Sequence, residues 1–391
     1  MSSALEGIRI LDMALMGPGP FCANILGDLG ADVIKIHEPR PGRRPGPRSF
    51  IFVDLPTFPG WRNCKTMGLN LKSQEGREIF YKLTGTADVI TEGYRPGVVK
   101  RLAVDYDTVR KVNPRIVYAS LTGYGQNGPY RDFVGHDINY ISIGGLLGMT
   151  GQPDGSPVIP GTLIADFASG GMNAVIGILS ALLAREKTGV GQYVDVSMTD
   201  GIVGLMLPQI EPYLNEGRVV ERGKTMSTGE WPWYNIYQTK DGKYISIAAL
   251  EPFFYANLCK LLGREDLIEH QFAEREKREE IFSCFREIFS TKSRDEWVEM
   301  LRQKDTCVSP VYSPDEVASD PHLVFRGMIA EVDHPSMGRI KQVGLMIKLS
   351  DSPFRVRNWS TRFGQHSEEI LLDLGYSKTD IGRLMEAEVV G

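Results

Sequence analysis

The sequence predicts an α/β protein: an open parallel sheet over roughly the first half of the chain, then a smaller α+β domain. Two patterns carry that expectation. "IRILDMA", "GPGPFCANILGDLG" and "ADVIKIHEP" read as strand, helix and strand, a βαβ unit of about thirty residues, which makes its strands parallel. Three apolar strands also run into glycine-rich loops, and open α/β sheets bind ligands beyond the carboxyl ends of their strands.

The elements follow in order. After the first strand, a Gly/Pro turn starts a helix with Leu26 and Leu29 on one face. "GREIFYKLTGTADVITEGYRPG" repeats the theme with a helix, the strand Asp88 to Thr91 and a loop. "RIVYASLTGYG" is another strand ending in glycine. The Gly/Pro-rich loop Thr150 to Gly161 precedes a long helix opened by Asp166. That helix closes with Arg185, Lys187 and Gly189, matching the preference of helix C-termini for cations and glycine. "QYVDVSM" is a strand, and the polar stretch Gly217 to Glu230 is a hinge. "NIYQTKDGKYISIAAL" is a hairpin turning at "KDG", and "GMIAEVDHPSMGRIKQVG" is a second hairpin. Between them Pro252 to Ser319 is helical and charged. A final helix, Ser367 to Leu374, precedes a short tail, with Ile370, Leu371 and Leu374 forming an apolar stripe that must be buried.

Composition narrows the function classes. Lys plus Arg is 44 and Asp plus Glu is 49, a formal net charge of −5. This argues against non-specific nucleic-acid binding while leaving room for a local basic pocket. The five cysteines, Cys22, Cys64, Cys259, Cys284 and Cys307, form no CxxC, and read as reduced thiols of a cytoplasmic protein. "MSSALEGIRILDMA" has no basic segment followed by an apolar run, so no signal peptide is expected. The most apolar stretch, Ala174 to Ala184, is too short to span a bilayer and reads as a buried helix; no membrane partner is expected. The six His are scattered, so no metal site is expected.

Several residues invite a chemical reading, each beside a plainer one. "GPGPFC" (Gly17 to Cys22) lacks the third glycine of a dinucleotide fingerprint and the Lys-Ser/Thr of a phosphate loop, so a tight strand-to-helix turn is the better account. Cations gather in "PRPGRRPGPR" (Arg40 to Arg48), at Lys72, and at Arg95, Lys100 and Arg101. They are either solvated surface or, lying at predicted strand ends, a phosphate-binding set, with Tyr94 placed to stack on a base. His136 and Asp137 follow the loop after "RIVYASL"; a lone His is structural or catalytic. Asp166 at a helix start is an ordinary N-cap or a poised carboxylate, and Gly170 and Gly171 would let a ligand approach closely. Glu251 ends "YISIAAL" just before Pro252, as surface charge or site residue.

Taken together, "LEGIRILDM…GPGPFCANILGDLGADVIKIHEP", "NLKSQEGR", "EGYRPG", "NPRIVYASLTGYGQNGPY", "GHDINY", "ADFASGG", "TGVGQYVDVSMTDG", "LEPFFYANL" and "FGQHSEEIL" resemble the family III CoA-transferase superfamily, the carnitine dehydratase and bile-acid-inducible group. The resemblance covers nearly the whole chain. It implies a Rossmann-like large domain (1–216 and 335–391), a linker (217–229), a small domain (230–334), and an interlocked homodimer of two threaded rings. It implies an acyl-CoA substrate, with coenzyme A entering as part of that substrate and no bound prosthetic group. Lys72, Tyr94 and Arg101, with Gly93 and Arg95 beside them, match the CoA contacts. Members often carry Arg before the Pro of the third strand; here that position is Glu38, and Arg40 follows two residues later.

Two chemistries compete within such a superfamily. Transferases use an aspartate matching Asp166 as a nucleophile, through a mixed anhydride and an enzyme thioester. The α-methylacyl-CoA racemases move the proton alpha to the thioester with a base on each face, matching His136 and Asp166, and a supporting glutamate matching Glu251. Asp137 then holds the loop or the pantetheine. "GHDINY", Glu251 in "LEPFFY", and a segment "GKTMSTGEWPWYNIY" with Tyr234 but no run of glycines favour the racemase. Thr162 in "PGTLIADFASG" stands where racemases tend to have Asn, and favours the transferase. A CoA-binding subunit of a hetero-oligomer is a third reading, opposed by the presence of Asp166.

Overall fold

The computed structural model describes residues 3–14, 16–39, 62–360 and 362–391. The chain divides into two compact units. One comprises Met1–Leu146, Pro160–Met206 and Pro321–Gly391, the other Leu147–Ile159 and Leu207–Asp320.

The first unit holds six parallel strands, β1 (Arg9–Asp12), β2 (Asp32–His37), β3 (Cys64–Gly68), β4 (Val89–Glu92), β5 (Val117–Thr122) and β6 (Tyr193–Ser197), in the order β3-β2-β1-β4-β5-β6. This is the order of a doubly wound Rossmann-type sheet. Five of the strands are the expected ones. "CKTMG" was passed over because it shows neither an apolar run nor alternation; its pairing with β2 makes it a strand. Consecutive residues enter opposite cores: Ile10, Val89 and Val117 lie on one side of the sheet, Leu11, Ile90 and Tyr118 on the other. With both faces covered, the strands read as nearly continuous apolar runs.

The helices of this unit begin with α1 (Pro18–Asp28), α2 (Gln74–Thr86), α3 (Val98–Arg101) and α4 (Tyr106–Val109). Proline in the first turn of α1 suits a position whose N–H has no helical partner, and Ser73 Oγ caps α2 by accepting the Gly76 N–H at 3.0 Å. Then come α5 (Asp137–Ile143), a π-helical segment Ala165–Met172, α7 (Asn173–Thr188) and α8 (Met198–Leu205), while α6 (Leu146–Met149) groups with the second unit from Leu147 on. The π segment and α7 form one run, Ala165–Thr188, of 24 residues with a mean hydropathy of 1.7 in its apolar window. This is longer than the stretch read from the sequence, and by length and composition alone it is long enough to cross a membrane. Ala174, Val175, Ile178, Ala181 and Leu182 are nevertheless buried in the core against the sheet, the pattern of a core helix.

The second unit packs α9 (Leu207–Glu216), α10 (Pro252–Leu261), α11 (Arg275–Phe289), α12 (Arg294–Leu301) and α13 (Pro314–Val317) with an antiparallel sheet of β7 (Tyr234–Gln238), β8 (Tyr244–Ala248) and β9 (Val308–Pro310). The hairpin turns at "KDG" as expected; β9, only three residues long, gave no sequence signal. Trp233, Tyr237, Ile245, Phe285 and Phe289 centre its core. The buried Trp233 indole donates to the Gln271 carbonyl at 2.7 Å, so its one polar atom is satisfied.

The chain returns to the first unit at Pro321, ahead of the expected 335, with α14 (Pro321–Phe325) and the antiparallel hairpin β10 (Ile329–His334) and β11 (Gly338–Val343). β10 pairs with β11, and β11 is seated by Arg62. Paired with Asp28 at 2.6 Å in the interior, it donates to Gln342 Oε1 at 2.8 Å and to the Val343 carbonyl at 2.9 Å. Residues 147–159, expected in the large domain, belong with the second unit, where Arg222 donates to the Gln152 and Gly148 carbonyls. After α15 (Ser367–Asp373) the expected short tail forms another helix, α16 (Lys378–Glu386). Ile370, Leu371, Ile381 and Leu384 are buried in the core of the first unit, which accounts for the apolar stripe.

Candidate active site

The strand order of the first unit reverses between β1 and β4, and such a switch point leaves a crevice beyond the strand ends. The loops leaving these strands run side by side: a side-chain carbon on Gly93 would lie 3.5 Å from Ala14 Cβ. Asp12, buried at the end of β1, accepts from Lys35 Nζ at 2.9 Å, Thr91 Oγ1 at 2.8 Å and the Ala14 N–H at 3.0 Å. This fixes where the β1 loop departs. The loop ends at Gly17, with φ of 63°, where a side-chain carbon would come within 3.1 Å of Asp166 Oδ2. The turn that the sequence explained as mere connection therefore backs onto a carboxylate, and both conformation and space restrict the position to glycine. A glycine followed by proline at a strand's carboxyl end was the available signal.

Asp166 is the second residue of the π-helical segment, a geometry frequent at functional sites. It is not the expected N-cap. Ile164 before it is already helical, and the Phe167 N–H reaches the Leu163 carbonyl at 3.0 Å. The cap comes from Asp137, whose Oδ1 accepts the Asp166 N–H at 3.0 Å. Asp137 is buried on α5 next to His136, which is exposed and donates its own N–H to Asn139 Oδ1 at 3.0 Å. The Tyr140 hydroxyl donates to the Gly135 carbonyl at 2.5 Å and ties down the same turn. Burial, then the neighbouring Asp137 carboxylate, pushes the Asp166 carboxyl up to about 6, with the His136 ring opposing the shift. Gly170 and Gly171 do not open the site to a ligand. Side-chain carbons there would lie 2.6 Å from Pro18 Cβ and from Phe21 Cδ1, so these glycines let α1 pack on the π segment.

The cationic set is partly assembled. Gly93, Tyr94 and Arg95 follow β4 on one loop, Tyr94 half-buried and its neighbours exposed. Arg95 is near enough to Tyr140 to act on its hydroxyl electrostatically. Arg101 is joined by a residue the sequence reading missed: a side-chain carbon on Gly97 would lie 3.8 Å from Arg101 Nη1 and 3.7 Å from Arg131 Nη2. Two guanidinium groups thus approach one patch of left-handed backbone (φ 85°). Arg131, in "GPYRD", is remote in sequence, and nothing local marks it. Lys72 is exposed and forms an ion pair with Glu38, so the departure from the usual Arg at that position has a direct consequence. Arg40 lies outside the described residues. In the second unit, Tyr234 pairs with Ala248 at the end of the β7–β8 hairpin, and Glu251 precedes α10 three residues beyond. No group of three or more His, Cys, Asp or Glu placed to hold a metal ion occurs among the described residues.

Comparison with known proteins converges on one group. The family model for CoA-transferase family III matches residues 5–367. The chain is 32% identical to the human alpha-methylacyl-CoA racemase over 388 residues, covering 99% of this chain and 97% of that protein. It is 34% identical to the formyl-CoA:oxalate CoA-transferase of Streptomyces coelicolor, covering 100% of each. The crystal structure of a CAIB/BAIF family protein from Brucella suis superimposes with a TM-score of 0.80 at 28% identity, over 96% of this chain and 100% of that one. An aspartate held at a switch point beside an imidazole, on a chain matched end to end by these proteins, makes this an enzyme of CoA-transferase family III, a group that includes both racemases and CoA-transferases.

Proposed function

We propose that the chain is an acyl-CoA racemase of the α-methylacyl type, moving the proton alpha to the thioester by two-base chemistry. The observation that carries this reading is the shared support of His136 and Asp166: Asp137, adjacent to the imidazole, holds the backbone of the carboxylate at 3.0 Å. One group removes the alpha proton, and the other returns a proton to the opposite face of the planar enolate. Incubation of a 2-methylacyl-CoA in deuterated water tests it. Alpha-deuterium incorporation without a second acid is expected; acyl exchange that requires a free acid would overturn the racemase reading.

That second outcome is the transferase reading, favoured by Thr162 and by relatives with transferase names at similar identity. There an Asp166 oxygen attacks the thioester carbonyl and the CoA sulfur leaves. The thiolate then attacks the aspartyl carbonyl of the anhydride, releasing the acyl carboxylate and leaving CoA on the enzyme. A CoA-binding subunit role predicts no turnover by the purified chain alone.

The raised Asp166 carboxyl gives the racemase a pH signature. Below about 6 Asp166 is protonated and cannot accept a proton; above it, Asp166 is ionised. In either direction the reactive enzyme carries one proton between Asp166 and His136, so kcat/KM is expected to fall toward about tenfold per pH unit below that value for both epimers alike. Initial rates from each epimer across pH 5 to 8 check this, and a kcat/KM that stays level down to pH 5 contradicts it.

Arg101 and Arg131 are assigned to a phosphate of the CoA moiety. Arg101→Ala and Arg131→Ala are each expected to raise KM for acyl-CoA about tenfold or more with little change in kcat, because a charge-assisted phosphate contact serves ground and transition states alike. Steady-state kinetics in which kcat falls while KM stays constant would remove either residue from that role.

The active unit is proposed to be the interlocked homodimer. An apolar face on α7 supports this: Ile176 and Leu183, two turns apart, are 62% and 64% exposed in the single chain. Sedimentation at nanomolar protein is expected to show dimer alone, since threaded chains cannot separate while folded. A folded monomer at equilibrium defeats it.

A further inference from the structure

A row of polar side chains crosses the carboxyl edge of the sheet. The register pairs Glu92 of β4 with Ser120 of β5, and Ser120 with Asp195 of β6. The Tyr193 hydroxyl donates to Ser120 Oγ at 2.8 Å from within the row. None of these residues has a part in the chemistry above. Each carboxyl, however, takes a backbone N–H from a different loop. Glu92 Oε2 accepts from Tyr94 at 2.8 Å, in the loop bearing Gly93, Tyr94 and Arg95. Asp195 Oδ2 accepts from Gln126 at 3.1 Å, just after the left-handed Gly125, in the loop that runs on to His136.

Glu92 is an expensive choice for a structural position. It is 1% exposed, and its Oε1 is buried with no hydrogen-bond partner within 3.5 Å among the described residues. Burial is the main cause that pushes its carboxyl up to about 7. Removing a carboxyl from water this far is unfavourable unless something is gained from its position. The gain visible here is a fixed acceptor directly beneath the Tyr94 amide. Asp195, on the exposed edge strand, does the same for the neighbouring loop at lower desolvation cost.

We propose that Glu92 and Asp195 are positioning residues with separate duties: Glu92 sets the loop that binds CoA, and Asp195 sets the loop that delivers His136. The first half rests on the reading of residues 93–97 as a CoA-binding segment, and the second on the racemase reading of His136 as one of the two bases. The predicted signature is a split between binding and turnover. Glu92→Leu is expected to weaken CoA binding, and raise KM for acyl-CoA, about tenfold, the effect of losing a hydrogen bond to a charged group, with kcat within about twofold of wild type. Asp195→Ala is expected to lower kcat about tenfold by the same reasoning, with CoA affinity unchanged.

Conservative variants separate positioning from general stability. Glu92→Gln and Asp195→Asn keep a carbonyl oxygen that accepts the same N–H, and are expected to stay within about threefold of wild type. Glu92→Asp keeps the charge but withdraws the acceptor by one methylene; it is expected to behave like Glu92→Leu and replaces it should the leucine variant fail to fold. CoA affinity is read by titration calorimetry on the full chain, turnover by alpha-proton exchange, and folding by thermal denaturation; acyl transfer in place of exchange overturns the reading on which the Asp195 half depends. Glu92→Gln falling as far as Glu92→Leu or Glu92→Asp overturns the proposal, as does Asp195→Ala moving affinity and kcat together. A wild-type chain that does not bind CoA overturns instead the reading on which the Glu92 half depends, so the two failures are distinct.

Discussion

Asp166→Ala is expected to reduce turnover of acyl-CoA to background, a loss of about 10²–10⁴-fold or more, whichever chemistry the enzyme performs. In the racemase the variant lacks one of two acid/base groups; in the transferase it lacks the nucleophile. Gly17 faces the carboxylate with no side chain, and the neighbouring carboxylate of Asp137 is engaged with the Asp166 amide. That amide bond does not depend on the side chain, so the π segment should keep its conformation and the variant should remain folded by circular dichroism. Asp166→Asn is expected to be as damaging, because it preserves size and hydrogen bonding but neither titrates nor forms an anhydride. Turnover by Asp166→Ala at wild-type rates would take this residue out of the mechanism.

His136→Ala separates the two chemistries. In the racemase, loss of one base should lower epimerisation by about 10²–10⁴-fold. It should also leave a diagnostic remnant. Asp166 can still exchange the alpha proton of the one epimer whose hydrogen faces it, so deuterium is expected to enter that epimer without inversion. In a transferase the imidazole is only a neighbour of the reacting carboxylate, and the substitution mainly disturbs local packing. His136 is exposed, and the bond from its backbone N–H to Asn139 Oδ1 survives the substitution, so the variant should fold. Epimerisation within a few-fold of wild type would end the two-base assignment and favour attack by Asp166 on the thioester.

The candidacy of these two residues was legible because it depends on residue type and local order. An imidazole after a glycine-rich loop and a carboxylate before a run of small residues are features of a few adjacent positions. The support of the site was not legible. Asp137 was expected to hold the loop or the pantetheine, and its actual contact, capping the backbone of Asp166 29 residues away in sequence, carries no local mark. Gly170 and Gly171 suggested room for a ligand, yet Pro18 and Phe21 fill that space. Arg131 carries no local mark at all and acquires a reading only beside Arg101 at Gly97.

The same division runs through the fold. Hydrophobic periodicity and Gly/Pro punctuation determined the βαβ beginning, five of the six strands and the "KDG" hairpin, since each reflects which side of a short segment meets the core. Periodicity does not say which segments are neighbours. The pairing that turns "CKTMG" into β3, the seating of β10 and β11 through Arg62, and the row Glu92–Ser120–Asp195 arise from contacts between distant parts of the chain. Only tertiary structure decided them, because a buried ion pair, a sheet register or a shared acceptor is a property of two or more segments at once, and none of those segments encodes it alone.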